Sequence, residues 1–213
     1  MTDPLAFVRS VTAPGTPPLL PEIRLLLASE LVPLWRKTEE ELEREGVPPP
    51  YWAFAWAGGQ ALARYILDNG LQVRSALDFG SGSGLVAIAA AKAGAAKVLA
   101  AEIDTFAAAA IAINAEANGV AVEVVCEDVI GRDGDWDAIL IGDMCYERPL
   151  AERLLAWLEM RARAGVLVLM GDPGRSYFPK AGVEKLATYS VLTTRELEDR
   201  EVRETSVYRF CGT

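Results

Sequence analysis

The segment Leu77-Asp78-Phe79-Gly80-Ser81-Gly82-Ser83-Gly84 sets a carboxylate two residues before three alternating glycines, between a short apolar run and an alanine-rich one. Glycines so spaced allow a tight turn, let a ligand approach the main chain, and lead into a helix N-terminus whose N–H groups are free. The spacing is not that of the dinucleotide fingerprint, whose third glycine would fall at position 85, where the chain has Leu85. Asp78 also sits where a pyrophosphate would be repelled and an ammonium or sulfonium group attracted. The chemistry favoured is binding of a nucleoside cofactor with a cationic amino-acid part and no phosphate.

S-adenosylmethionine has that character and is the expected ligand, held by Asp78, Gly80, Gly82 and Gly84. Glu102 follows the glycines by about 20 residues, at the end of the next apolar run, where an acid accepts both hydroxyls of a ribose. Asp104 reads as the N-cap of the next helix. Glu127 and Asp128 close the third run near the expected adenine edge, and Asp128 is the one assigned to it. A nicotinamide-dependent oxidoreductase and a catalytically silent binding module are the competing readings. The first is opposed by the glycine spacing, and the second leaves Asp78 and Glu102 without a task.

The fourth run ends in Ile141-Gly142-Asp143-Met144-Cys145-Tyr146-Glu147. In an open parallel sheet this end lies beside the first strand, so Asp143 and Tyr146 are expected to face the methyl donor as the acceptor-side residues. A base-modifying amino methyltransferase would carry Asn or Asp, then Pro-Pro and an aromatic residue; Asp143 to Tyr146 keeps only the ends of that pattern. Charge points the same way. Thirty Asp and Glu against 21 Lys and Arg give a formal charge of −9, which disfavours unassisted binding to nucleic acid and favours basic partners. The chain has no histidine, so imidazole bases and Ser-His-Asp catalysis are excluded. Cys126, Cys145 and Cys211 have neither disulfide nor metal spacing, which suits a reducing cytoplasm and no metal site.

The elements that must position these residues follow from periodicity. Apolar runs Ala76–Phe79, Val98–Ala101, Val122–Val125, Ala138–Ile141 and Val166–Met170 alternate with helix-like segments Leu85–Ala93, Phe106–Asn118 and Leu150–Arg161. This order predicts an α/β fold, a parallel sheet with helices on both faces. Ala187–Thr194 and Val202–Phe210, joined by Glu196–Arg200, predict a C-terminal hairpin. Ahead of the sheet, Met1–Leu20 reads as a loose arm without the features of a targeting presequence. Ile23, Leu26, Leu27, Leu31, Leu34, Trp35 and Leu42 have the spacing of a helical cap broken at Pro33, its run Glu39–Glu45 reading as a solvated face. Residues 1–50 are thus expected to form an arm and cap and residues 51–213 the catalytic domain. No apolar run reaches the roughly 20 residues of a membrane span.

Four stretches resemble the seven-β-strand, or class I, lysine methyltransferases, and within them the electron transfer flavoprotein β-subunit lysine methyltransferases. They are Tyr51 to Gln60, with its aromatic entry and Gly58-Gly59; Leu77 to Gly84; Gly142 to Tyr146; and Gly171-Asp172-Pro173-Gly174-Arg175. The resemblance implies a Rossmann-like, mostly parallel seven-stranded sheet with one antiparallel strand, S-adenosylmethionine as donor, and transfer to a lysine Nε of an electron transfer flavoprotein. It also implies that Trp56 and Gly59 line the cofactor pocket, Trp56 reading equally as a core aromatic that pins the following helix, and that Asp143 and Tyr146 hold the lysine. Trp52 reads as a core aromatic, Cys145 as filler, and Arg175 as a surface charge without a catalytic role. A ribosomal protein or a small-molecule amine stands as the alternative acceptor. The start of the chain departs from the mitochondrial members, and a bacterial cytoplasm is the natural expectation.

Overall fold

A computed structural model describes residues 3–28, 49–193 and 201–212. Its centre is a seven-stranded sheet built from β3 (Ala76–Phe79), β4 (Val98–Glu102), β5 (Glu123–Cys126), β6 (Ala138–Gly142), β7 (Leu167–Asp172), β8 (Val183–Leu192) and β9 (Val202–Phe210). The spatial order is β5-β4-β3-β6-β7-β9-β8, parallel throughout except for β9, which is antiparallel to both β7 and β8. From β3 the chain winds outward through β4 to β5 and then returns to the other side of β3 with β6. The crevice at this reversal, outside the carboxyl ends of β3 and β6, is where open α/β sheets bind ligands.

Central strands β3 and β6 are buried on both faces, which is why they read as unbroken apolar runs. Successive side chains alternate between two cores. Ala76, Ala100, Leu140 and Leu169 pack with helices α2 (Ala57–Asn69), α3 (Leu85–Lys92) and α4 (Thr105–Ala117). Leu77, Phe79, Ile139, Ile141, Val168 and Met170 pack against Leu154, Trp157 and Leu158 of α5 (Arg148–Arg163). Helix α3 buries Leu85 through Ala90 without a polar stripe, so its alanines let it lie close between the sheet and its neighbours. Asp104 does cap α4, its Oδ1 accepting from the Phe106 N–H at 2.8 Å. Strand β8 begins at Val183, earlier than its apolar pattern, because a register shift between Lys185 and Ala187 lets pairing continue past the irregularity. Its expected turn, Glu196–Arg200, lies outside the described residues.

The N-terminal region departs from expectation. Within the expected loose arm Met1–Leu20, the described residues, from Asp3 on, are not loose: α1 (Pro4–Val11) is capped by Asp3, buries Val8, and packs Phe7 against Phe106 of α4 with ring centroids 4.6 Å apart. The first part of the expected helical cap is extended chain, with β2 (Leu25–Leu27) antiparallel to β1 (Ala13–Gly15). The reason is tertiary. The Leu26 N–H donates to Asn114 Oδ1 at 2.7 Å and the Arg24 N–H to Asn118 Oδ1 at 3.1 Å, so two side chains of α4 hold this backbone extended while Ile23 and Leu25 enter the core. The remainder of the cap, with Leu31, Leu34, Trp35, Leu42 and Glu39–Glu45, lies outside the described residues. No described helix is long and apolar enough to cross a membrane.

Asn114 is fully buried, and its Nδ2 donates to the Ser83 carbonyl at 2.8 Å, so one side chain ties β2 to the glycine turn. Asn114→Ala leaves a main-chain donor and acceptor without this partner and is expected to cost about 2–4 kcal/mol. Urea unfolding checks this; a loss below about 0.5 kcal/mol would show that the tie is dispensable.

Candidate active site

After Phe79 the chain turns through Gly80, Gly82 and Gly84 at φ 62°, 54° and 82°, angles open to glycine at little cost, and Gly84 caps α3. Asp78 points to the α3 side, where its Oδ2 accepts from Ser81 Oγ at 2.5 Å and the Ala87 N–H at 2.9 Å. It therefore braces the turn against the helix, a role the sequence did not suggest for it. Glu102, at the end of β4, lies over the turn, with Oε1 accepting from the Gly82 N–H and Oε2 from the Ile103 N–H, each at 2.9 Å. The carboxylates oppose one another. Burial, and then the charge of Glu102, push Asp78 up to about 7 against the pull of its two hydrogen bonds; the same causes hold Asp104 near 6. A concentration of acid on buried main chain suits a cofactor that carries positive charge and hydroxyl donors.

Asp128 stands apart, at the end of the outermost strand of this half of the sheet. Its carboxylate accepts from the Ile130 N–H at 2.9 Å and pairs with Arg153 at 2.6 Å, while Glu127 pairs with Arg132. Its bonds therefore run to its own turn and to α5, not to the glycine turn.

On the other side of the crevice, Phe79 and Ile141 are register partners, so Gly80 and Gly142-Asp143 leave the sheet side by side. The contact is direct: a Cβ on Gly80 would overlap the Met144 side chain. Helix α2 presses its first turn onto the ends of β6 and β7. A Cβ on Gly58 would collide with the Gly171 carbonyl and the Asp143 carboxylate, and one on Gly142 would lie 2.9 Å from the Gly59 Cα. Gly59 thus packs its main chain against the end of β6.

Asp143 is 7% exposed and adopts φ 60°, a left-handed conformation that aspartate tolerates better than most residues. The turn aims its carboxylate back under α2. Oδ2 accepts from the Gly58 N–H, and Oδ1 accepts from Arg175 Nε at 2.8 Å and Nη2 at 2.7 Å. Arg175 is no surface charge: its side chain is 18% exposed and lies over the Trp56 ring at 5.8 Å. Asp172 Oδ1 accepts from the Gly174 and Arg175 N–H groups at 2.7 Å each, fixing the loop that delivers the guanidinium. An Asp followed by Pro-Gly signals such a turn in the sequence, but its arginine's target does not.

Tyr146 is 45% exposed and faces Tyr51 with ring centroids 6.0 Å apart; Tyr51 in turn meets Trp56 edge-on at 5.9 Å. Trp56 is half-buried at the start of α2 and donates Nε1–H to the Tyr51 carbonyl at 2.8 Å. Trp52 is core, as expected, in one cluster with Val8 and Phe106. Cys145 is buried filler, its thiol pushed up to about 12 by burial and by Asp172 and Asp143. The phenol of Tyr146 is raised by burial and by Tyr51, Glu147 and Glu102, so it stays protonated at neutral pH.

Comparison with known proteins separates the two halves of this site. The family model described as ribosomal protein L11 methyltransferase (PrmA) matches residues 60–141, the donor half. Over nearly the whole chain, the sequence is 40% identical to the electron transfer flavoprotein β-subunit lysine methyltransferase of Xenopus laevis, covering 98% of this chain and 87% of that protein. The chain belongs to that family. The human relative of the same name is 38% identical over 94% of this chain and 78% of its own length. These relatives are animal proteins and lend no support to the expected bacterial origin. Among solved structures, the N-methyltransferase NodS of Bradyrhizobium japonicum, in complex with S-adenosylhomocysteine, matches with a TM-score of 0.53. It is 13% identical and the match covers 81% of this chain and 97% of that one, a likeness of fold. The family member described here is therefore a class I methyltransferase, of the class that uses S-adenosylmethionine.

In the absence of cofactor, Asp78 keeps its proton in the folded protein up to about pH 7 and loses it near its ordinary value, about 4, when unfolded. Its contribution to stability is fully present below about pH 4 and is lost as pH rises toward 7; Asp104 acts in the same sense up to about 6. The urea midpoint is expected to fall between about pH 5 and 7, and Asp78→Asn to flatten the upper part of that fall. An equal slope in the variant would show that Asp78 does not titrate there.

Proposed function

We propose that this chain methylates lysine Nε in the β subunit of electron transfer flavoprotein. The observation that carries the reading is the direct contact of donor turn and acceptor motif, Gly80 against Met144, with Asp143 just before that methionine and Tyr146 two residues after it. The named activity of the family supplies the acceptor.

The residues suit the cofactor. Gly80, Gly82 and Gly84 give it open main chain, Asp78 and Glu102 offer carboxylate to its ammonium and ribose groups, and Trp56 and Gly59 form the wall toward the acceptor. Asp128 is assigned to the adenine edge, where it would act from its pairing with Arg153. Bound S-adenosylmethionine would supply an electrophilic methyl group on a cationic sulfur, with a neutral thioether as the leaving group.

The chain's own task is to align a neutral amine and exclude water. Removing the proton of a free lysine near pH 7 costs roughly 4–5 kcal/mol, so the site must disfavour the ammonium form on arrival. Asp143 orients the amine by accepting a hydrogen bond from its N–H. Tyr146, a protonated phenol on an aromatic rim with Tyr51 and Trp56, supplies a wall and a hydrogen bond rather than a base. The acceptor is a protein, and we assign the reaction to the cytoplasm from cysteine usage. The ribosomal L11 family favours a second acceptor class only weakly, because its match ends at residue 141, short of Asp143.

Incubation of recombinant flavoprotein with this enzyme and S-adenosylmethionine is expected to add methyl groups to β-subunit lysines, read by mass spectrometry. Asp143→Asn and Tyr146→Phe should each lower kcat/KM at least about tenfold with S-adenosylhomocysteine binding retained. Near wild-type rates in both would overturn the acceptor assignment, and transfer only to other proteins would overturn the substrate.

A further inference from the structure

We infer that Arg175 is a positioning residue of the acceptor site, which sets both the aim of Asp143 and the protonation state of the amine bound beside it. The inference rests on the lysine reading above.

Three features show a locked cation. The main chain of Arg175 is pinned by Asp172 Oδ1 at 2.7 Å, and its guanidinium gives two hydrogen bonds to one oxygen of Asp143. Its far side lies over Trp56. The other Asp143 oxygen is held by the first turn of α2. A carboxylate gripped from both sides cannot rotate to meet a substrate, and the residue that aims it is the arginine.

Charge follows from the same geometry. An isolated Asp143 would attract an ammonium ion and hold its proton, making the amine a poorer nucleophile. With Arg175 against it, the pair is close to neutral, so the carboxylate still accepts a hydrogen bond from an N–H while the adjacent guanidinium opposes a second cation. A lysine bound here is thereby shifted toward the free amine, and the aromatic rim of Tyr51, Trp56 and Tyr146 keeps water away.

The other titratable groups near the pair are Asp172 on β7, Cys145 and Tyr146 after β6, Tyr51 ahead of α2, and Glu102 and Glu147, which act on Tyr146. Cys145 at about 12 and the raised Tyr146 stay protonated across the assay range. Asp78, raised by burial in the glycine turn, is common to all the Arg175 variants and does not distinguish them.

The test is kcat against pH at saturating acceptor, since kcat reports groups in the complex, for wild type, Arg175→Lys and Arg175→Gln. The acceptor is the flavoprotein β subunit, or, if wild type does not act on it, whichever lysine protein wild type methylates. Failure of the substrate reading is then seen in wild type alone. Arg175→Gln is expected to move the acid limb up by about one pH unit, so that kcat falls about tenfold at pH 7 and much less at pH 9. Arg175→Lys keeps the charge but loses the fork, and is expected to lose rate while its limb stays within about 0.3 unit of wild type. A loss by one factor at all pH values in both variants, or a limb displaced in Arg175→Lys, would overturn the proposal. So would a lowered KM in Arg175→Gln, which would make the arginine a competitor for the seat. Should Arg175→Gln not fold, the Lys variant decides, together with wild type, whose limb must lie well below the ordinary lysine value.

Discussion

The close approach of α2 to the ends of β6 and β7 is the constraint from which the acceptor side of the crevice follows. Gly58, Gly142 and Gly171 meet where none can carry a Cβ without moving backbone. That contact brings the Gly58 N–H onto Asp143, which completes its grip by taking a left-handed turn worth about 1–2 kcal/mol of local strain. The same contact sets the height of the aromatic entry, because Trp56 is the residue from which α2 starts. Helix position, carboxylate aim and rim are one arrangement rather than three.

The donor side rests on a different balance. Asp78, Glu102 and Asp104 are spent on main-chain N–H groups of α3, the turn and α4 respectively, so they shape the site before any ligand arrives. Burial, and then the charge of Glu102, raises Asp78 to about 7 and Asp104 to about 6. A cationic cofactor relieves the repulsion from Glu102, so folding and binding draw on the same electrostatic reserve. Asn114 extends the arrangement outward, since the side chain that supports Ser83 also holds β2. The N-terminal segment is therefore part of the support of the turn.

Much of this was legible in the sequence. Central parallel strands are buried on both faces and read as unbroken apolar runs, so β3, β4 and β6 lie where expected, and the glycine turn and the Asp104 cap are local signals. Ile23 to Leu27 failed because their apolar pattern suits either period over so short a stretch, and the deciding partner, Asn114, is 88 residues from Leu26. Arg175 failed for a related reason. Its turn is local, but its meaning depends on β6 and β7 lying side by side so that residues 32 apart can pair. Long-range partners of polar side chains leave no periodic trace.

The distribution of likeness along the chain agrees with this division. Residues 60–141, shared with the L11 methyltransferase model, contain the glycine turn, Glu102 and the strands that bring them together. Tyr51 to Gly59 and Asp143 to Arg175, which build the rim, the carboxylate and its arginine, fall outside it. Binding one invariant cofactor requires the same turn, carboxylates and register whatever the acceptor. In the proposed reading, meeting a particular protein side chain falls to residues at the ends of β6 and β7 and at the entry to α2. A change of acceptor within this architecture would therefore be expected to alter the Asp143–Arg175–Trp56 group and its aromatic neighbours while leaving the donor turn intact.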